Sequence, residues 1–452
     1  MSGMSGMSHD PLRLGVKPIT KQRVTASSYY DSSRKEYLVK NSGGRWLALN
    51  ETQFKRKLRA EGKSPKVPGG VDGVHISPVE AELLRIQDED DVSFAGVVAG
   101  HREGFYEQNG TRFLVTDSPN LIEPSAGSWP VLHAFLNGLL GGDEEQLSVF
   151  KAWVKFAVKA VRSSNRQPGQ ALVLAGPAGC GKSLLQGLIT EILGGRSAKA
   201  ALFLTGRTDF NAELFGAEHL ILEDEFMSTK IADRVKLGAG IKGLTVNELH
   251  PCHRKGSTIV NLRPLWRVSV SVNDDPEALL VLPPMDDHVE DKFILLRCIG
   301  AEFPMPTTTA EEQRAFRGTL TKELPAFLDE LERFEVPSHL SSSRYGVASY
   351  HNPQLAEDLA SLSPESQLLE LIDAAGNSLF GVDERWQGTA AELRVELLSL
   401  PSTQRDARSL LEWKNAAGTY LGRLAKKHPK RVQHRRTAEL RAWIIHRNPM
   451  TP

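Results

Sequence analysis

Residues 176–183 read Gly176, Pro177, Ala178, Gly179, Cys180, Gly181, Lys182 and Ser183, the pattern G-x-x-x-x-G-K-S. Glycines at these positions let a tight loop turn its backbone N–H groups inward around phosphate oxygens. The N-terminus of a following helix adds positive potential. A lysine behind the last glycine reaches the β- and γ-phosphates, and the serine hydroxyl ligates Mg²⁺. The string predicts a nucleotide-binding P-loop for ATP and Mg²⁺, with contacts from Gly176 through Leu184, Lys182 as a catalytic cation and Ser183 as a metal ligand. The flanks agree: an apolar run, Leu172 to Ala175, precedes it and a helical pattern follows Ser183.

Three further stretches carry chemistry. HLILEDEF, residues 219–226, is an apolar strand ending in consecutive acids. One carboxylate orients Mg²⁺ through water and another positions or deprotonates the attacking water. Asp224 is the metal-side choice, and Glu225 or Glu223 is the base; the sequence does not separate these two. WRVSVSVNDDP, residues 266–276, alternates like a strand and ends at Asn273. Its amide either senses the γ-phosphate and attacking water or makes an Asx-turn before Asp275-Pro276. Between these lies TVNELHPCHRKGSTIVNLRP, residues 245–264, where two β-prone runs flank HPCHRKG. His250, Cys252 and His253 are too tightly spaced for a zinc site, so the basic tip reads as a phosphate contact.

A P-loop, an acidic strand, a basic hairpin and an Asn-ended strand, in that order within about 100 residues of chain, resemble the superfamily 3 helicases. The ATPase half of phage, plasmid and poxvirus primase–helicases is similar over residues 130–300. The resemblance implies an AAA+-like fold, hexameric rings and DNA translocation by hairpins in a central channel, here with His253, Arg254 and Lys255 at the tip. It also implies a basic finger reaching a neighbouring subunit's γ-phosphate. DDHVEDKFILLRC departs from that pattern, with Lys292 at the aligned position and Arg297 five residues on. Lysine lacks guanidinium's bidentate fork.

The elements that must position these residues follow from the rest of the chain. The 452 residues, 40% apolar and 24% charged, suggest a soluble chain of several domains. Its three cysteines, Cys180, Cys252 and Cys298, exclude a disulfide framework. The absence of a membrane-length apolar run or a signal peptide suggests the cytoplasm of a bacterial host. Residues 1–19 read as a disordered start and residues 20–125 as a small α+β domain. In that domain Asn50 with Gln53, and Ser77 with Glu80, are capping boxes. VSFAGVVAG, EGFYEQ and TRFLVTD are strands there, with a tight turn at Asn109-Gly110. No paired carboxylates mark a primase centre. Residues 126–168 form a helical collar, with Leu147, Phe150, Trp153, Phe156 and Ala157 as its packing stripe. Residues 169–340 are the P-loop domain.

The net charge is zero, but residues 1–66 hold 14 Lys/Arg against 5 Asp/Glu, and residues 403–452 hold 12 against 3. Basic ends around an acidic centre suggest nucleic-acid contact, the alternative being solvated faces. Residues 346–452 read as a winged-helix-like domain: three helices, then a wing formed by RVQHRR and LRAWIIH. Arg423, Lys426, Lys427, Arg435 and Arg436 lie on its third helix and wing, where such a fold meets DNA.

The expected fold class is thus an α/β P-loop NTPase with a parallel sheet, a small α+β N-terminal domain and a C-terminal winged-helix-like domain. The expected function is an ATP-dependent DNA helicase or translocase in replication of a phage, plasmid or other mobile element. Its partners would be single-stranded or duplex DNA, further copies in a ring, and a separate primase. The alternative is an AAA+-like DNA-binding ATPase that switches or assembles without unwinding. A small-molecule kinase is disfavoured, since no acceptor pocket or basic lid can be read.

Overall fold

The computed structural model describes residues 26–67, 76–108, 110–223, 228–380, 384–436 and 441–447. The disordered start expected over 1–19, Asn109 of the tight turn, and the acids Asp224 and Glu225 lie outside the described residues. Two compact units account for the described residues. One takes the described residues up to Pro119 together with 210–216 and 249–264; the other takes the remaining described residues.

The second unit holds a five-stranded sheet in which every pairing is parallel. Its order across the sheet is Phe293–Arg297, Ala171–Ala175, Arg267–Val272, His219–Glu223, Ser197–Lys199. The P-loop strand Ala171–Ala175 is buried at every position, as expected of an apolar strand covered on both faces. The strand ending at Asn273 lies between it and the acidic strand, so two segments distant in sequence become neighbours. In a parallel sheet the carboxyl ends share one edge. Register puts Ala175 opposite Val272 and Arg297, and Ser271 opposite Glu223. Gly176, Asn273, Glu223 and Arg297 therefore emerge along the same edge.

The collar packs on this sheet. Helix Glu144–Ser163 is capped by Asp143, whose carboxylate accepts from the backbone N–H groups of Glu145 and Gln146. Leu147, Phe150, Trp153 and Ala157 are buried along it as the spacing predicts, and Phe156 is partly buried. Helix Ala310–Arg333 opens with a Thr309–Glu312 capping box and completes the same core with Phe316, Leu320, Leu324 and Phe327.

At the C-terminus, helices Ala390–Ser399, Gln404–Leu410 and Ala416–Lys427 precede the antiparallel pair Val432–Arg436 and Arg441–His446. A strand not anticipated from sequence, Arg385–Gly388, pairs with the far side of Arg441–His446. The helix Pro364–Ala375 was also not anticipated, and it contributes Leu368 and Ile372 to this core.

In the first unit both capping boxes form, on helices Glu51–Ala60 and Pro78–Glu89. These helices cover the sheet of Trp46–Leu49, Glu36–Lys40, Ser28–Asp31 and Asp91–Val92, burying Tyr37, Phe54, Leu58 and Ile86. A second sheet orders Phe94–Gly96, Thr111–Val115 and Gly104–Gln108. The segment 249–264 forms the hairpin read from sequence, with His250–Cys252 antiparallel to Val260–Leu262. Among the described residues, no helix is long and apolar enough to cross a membrane.

Candidate functional site

The loop 176–183 is built where only glycine serves. Gly179 and Gly181 have φ of +78° and +113°, the left-handed region that disfavours side chains. At Gly176 a Cβ would lie 2.3 Å from the Cys298 carbonyl oxygen, so the loop can leave its strand only without one. The strand end is clamped on both sides: Gly176 N–H donates to Val272 O at 3.2 Å, and Cys298 N–H donates to Ala175 O at 2.7 Å. Helix Lys182–Ile192 then starts directly from Gly181 with no side-chain cap, and the first N–H groups of such a helix start have no intrahelical partner.

Lys182 is buried, and its ammonium donates to Gly176 O at 2.6 Å, Pro177 O at 2.8 Å and Asn273 Oδ1 at 3.2 Å. The sheet order thus brings the P-loop lysine and the Asn-ended strand together. The competing Asx-cap role falls to Asp275, whose Oδ1 accepts from Ala278 N–H at 3.0 Å. Asn273 is left to face Lys182. Cys180 is also buried; its hydrogen bond with Cys298, then the Lys182 ammonium, hold its thiol below the usual range, while Cys298 is pushed up by that same bond.

A cleft of about 490 Å³ continues from Gly179, Lys182 and Ser183 to Phe303, Thr307, Gln313 and Arg317. These last four went unread in the sequence. They follow the sheet in a stretch with no motif spacing, and only folding sets them beside the loop. The Phe303 ring lies 5.6 Å from Phe316 and 6.2 Å from Phe135. The Gln313 amide is fixed by donating to Thr307 O at 3.0 Å. The cleft thus has a phosphate end, with backbone N–H groups, a cation and an exposed Ser183 hydroxyl, and an aromatic end. That donor set fits a nucleoside triphosphate with its Mg²⁺.

The acids and the finger are less alike than the sequence reading made them. Glu223 ends its strand paired with Lys199 at 2.6 Å. Asp224 and Glu225 are outside the described residues. Lys292 does not present a finger: the short turn Glu290–Lys292 tucks its side chain in, 5% exposed, against Asp291. Arg297 is instead exposed at the carboxyl edge of the sheet. Buried Gln146, also missed from sequence, clamps its backbone, accepting from Arg297 N–H at 2.7 Å and donating to Arg297 O at 3.2 Å.

Behind the loop a buried polar chain ties the P-loop helix to two strands. Thr190 Oγ1 donates to Gln186 O at 3.0 Å, so it accepts from His219 Nδ1–H at 2.8 Å. His219 Nε2 then accepts from the Ser269 hydroxyl at 2.7 Å, and Ser269 accepts from Gln186 Nε2 at 2.8 Å. Every member is satisfied with a neutral imidazole, whose pKa burial lowers to about 3.

The residues read as DNA contacts divide. Arg423 pairs with Asp286 at 3.0 Å and with Glu365 at 3.6 Å, and Lys427 pairs with Glu365 at 2.8 Å. Helix Ala416–Lys427 turns these two cations onto acids of its own unit, because Arg423 and Lys427 are one helical turn apart. Burial would raise the Glu365 carboxyl, but Lys427 and Arg423 outweigh it and hold it below the usual range. Lys426 and Arg435 are exposed, and the side chain of Arg436 is outside the described residues. In the hairpin Lys255 is exposed, His253 lies against Phe210, and Arg254 stacks on Phe94.

Structures of the NrS-1 C-terminal region align over 93% of this chain and 96% of theirs, at 12% identity with TM-scores of 0.53 and 0.54. This chain has that fold. The structure titled SCCmec type IV Cch active helicase aligns over 90% of this chain and 73% of its own, at 9% identity and a TM-score of 0.32. No family model matches the sequence, and no curated protein matches it. The likeness to the NrS-1 C-terminal region is one of fold.

Proposed function

We propose that the chain is an ATP hydrolase of superfamily 3 type that couples nucleotide turnover to translocation on, and unwinding of, DNA. The observation that carries this reading is Lys182 held 3.2 Å from Asn273 at the mouth of a loop that only glycine can form. Lys182 exchanges its loop carbonyls for β- and γ-phosphate oxygens, and Asn273 orients the attacking water. Ser183 and Asp224 would hold Mg²⁺, which would neutralise charge developing on the transferred phosphate. Water attacks the γ-phosphorus, the bond to the bridging oxygen breaks, and a carboxylate takes the water proton. Glu225 is the favoured base, since Glu223 is engaged by Lys199. Arg297 is the favoured finger toward a neighbouring copy in a hexameric ring.

The C-terminal domain acts as a winged helix on duplex DNA through Lys426, Arg435 and Arg436, and the hairpin meets single-stranded DNA. Replication of a phage, plasmid or other mobile element in a bacterial cytoplasm, with a separate primase, is the setting proposed. The alternative, a DNA-binding ATPase that does not unwind, draws on the internal pairing of Arg423 and Lys427, which leaves fewer cations for a strand.

Lys182→Ala tests the site. It removes the loop's cation, and ATP hydrolysis should fall by at least about 100-fold, in line with the loss of a single transition-state charge contact. Near wild-type turnover in that variant would falsify the P-loop reading.

A further inference from the structure

Arg254 sits at the hairpin tip, where a strand contact was expected, yet it is spent inside its own unit. Its guanidinium carbon lies 3.9 Å from the centre of the Phe94 ring, a stacked cation–π pair. The backbone of Gly96 makes room for it: a Cβ there would lie 2.5 Å from Arg254 Nη2. Its Nη1 is buried without a hydrogen-bond acceptor among the described residues, so the ring face holds it.

The rest of the hairpin is seated just as firmly. The Asn211 side chain donates to Pro251 O at 2.9 Å and accepts from His253 N–H at 2.7 Å. His101 Nε2 is 2.7 Å from Arg263 O at the other end of the hairpin. Ala99 N–H donates to Phe215 O at 2.7 Å, which ties the 210–216 segment carrying Asn211 to the N-terminal strands. Burial also holds the Arg254 guanidinium below the usual arginine range, as for a cation withdrawn from water.

We propose that the N-terminal domain is the seat of the basic hairpin: Arg254 is an anchor clamped on Phe94 and Gly96, and strand contact at the tip falls to Lys255. The strand-contact half rests on the reading of the hairpin as a DNA contact; the seat does not. Arg254 is thus a positioning residue, and its charge is not what the strand meets. Lysine cannot replace it, because an ammonium lacks the flat face that lies on the ring.

The test uses the full-length chain with Arg254→Lys, Arg254→Ala, Phe94→Leu and Lys255→Ala. Two readouts are taken: amide hydrogen exchange over 250–262, and ATPase rate with and without oligo(dT). Both Arg254 variants and Phe94→Leu should speed exchange across the hairpin on the order of tenfold, the loss of one cation–π clamp. They should lower DNA stimulation alike while the DNA-free rate stays put. The Arg254→Ala/Phe94→Leu double variant should be no worse than either single one. Lys255→Ala should leave exchange unchanged and lower the salt slope of oligo(dT) binding by about 0.7, one single-strand phosphate contact. Exchange unaltered in Arg254→Lys overturns the seat, whatever Phe94→Leu does to folding. Faster exchange with no effect of any variant on DNA binding upholds the seat and removes the DNA reading of the tip instead.

Discussion

At the scale of single residues, legibility followed how far a side chain's role depends on local spacing. Lys182 and Ser183 are set by a loop whose geometry is encoded in adjacent glycines, so eight letters suffice. Asn273 was readable only as one of two alternatives; in the fold Asp275 caps the next helix and the Asn273 amide oxygen accepts from Lys182. Lys292 is buried and Arg297 exposed, which spacing could not tell: the turn Glu290–Lys292 tucks the first in, and Gln146, more than 140 residues away in sequence, holds the backbone of the second. Phe303 was invisible, since an aromatic outside any periodic stripe announces nothing. Its place in the cleft yields a separable prediction. Phe303→Ala should raise the KM for ATP on the order of tenfold, the usual worth of a stacked aromatic. Inhibition by tripolyphosphate, which has no base, should not change. Competitive inhibition assays decide this, and equal loss for both ligands would place Phe303 in the fold of the loop rather than beside the base.

At the scale of elements, the two capping-box helices of the N-terminal region and the apolar strand Ala171–Ala175 were read almost as they stand, because caps and periodicity are local, whereas Pro364–Ala375, capped by Ser363, was missed. What escaped was what two elements do to each other. His219 looks like any residue opening a strand, yet it is buried with Thr190 and Ser269 on its two nitrogens. In the unfolded chain it binds a proton near pH 6.5; in the folded chain it does so only near 3. Between those values the unfolded state holds more protons, so stability should fall as pH drops, by up to about 1.4 kcal/mol per pH unit. Urea unfolding from pH 7.5 to 4.5 should show this slope, and His219→Gln should flatten it while costing stability at neutral pH. A slope identical in both proteins would mean that other groups carry it.

The helix Ala416–Lys427 teaches the same lesson with charges. Its cations read as a DNA face, but Arg423 and Lys427 face Asp286 and Glu365. Arg423→Ala should cost on the order of 1–3 kcal/mol of stability, since it strips a partner from a buried carboxylate, and leave the salt slope of duplex binding untouched. Arg435→Ala should do the reverse, lowering the slope by about 0.9. Titrations at several salt concentrations beside thermal melts separate the two, and the opposite pattern would restore Arg423 to the DNA face.

At the scale of the whole molecule, chain order and spatial order part company. A strand from residues 267–272 is inserted between the P-loop strand and the acidic strand, and this creates the site. Segments 210–216 and 249–264 leave the P-loop domain's stretch of sequence to join the N-terminal unit. Neither event has a local signature. Of the first, only a parallel sheet was expected and not its strand order; the second was not anticipated at all, because hairpin periodicity says nothing of what the hairpin packs against.

The central claim is that nucleotide turnover at Lys182 is coupled to work on DNA. The most direct measurement is strand displacement of a forked duplex by the wild-type chain, read by fluorescence with ATP, with ADP, and with ATP in the Lys182→Ala variant, alongside ATPase rate with and without oligo(dT). Displacement only with ATP and an intact Lys182, together with a DNA-stimulated ATPase rate, is the predicted result. ATP hydrolysis that displaces no strand and ignores DNA would contradict the motor reading and leave a nucleotide-driven switch in its place.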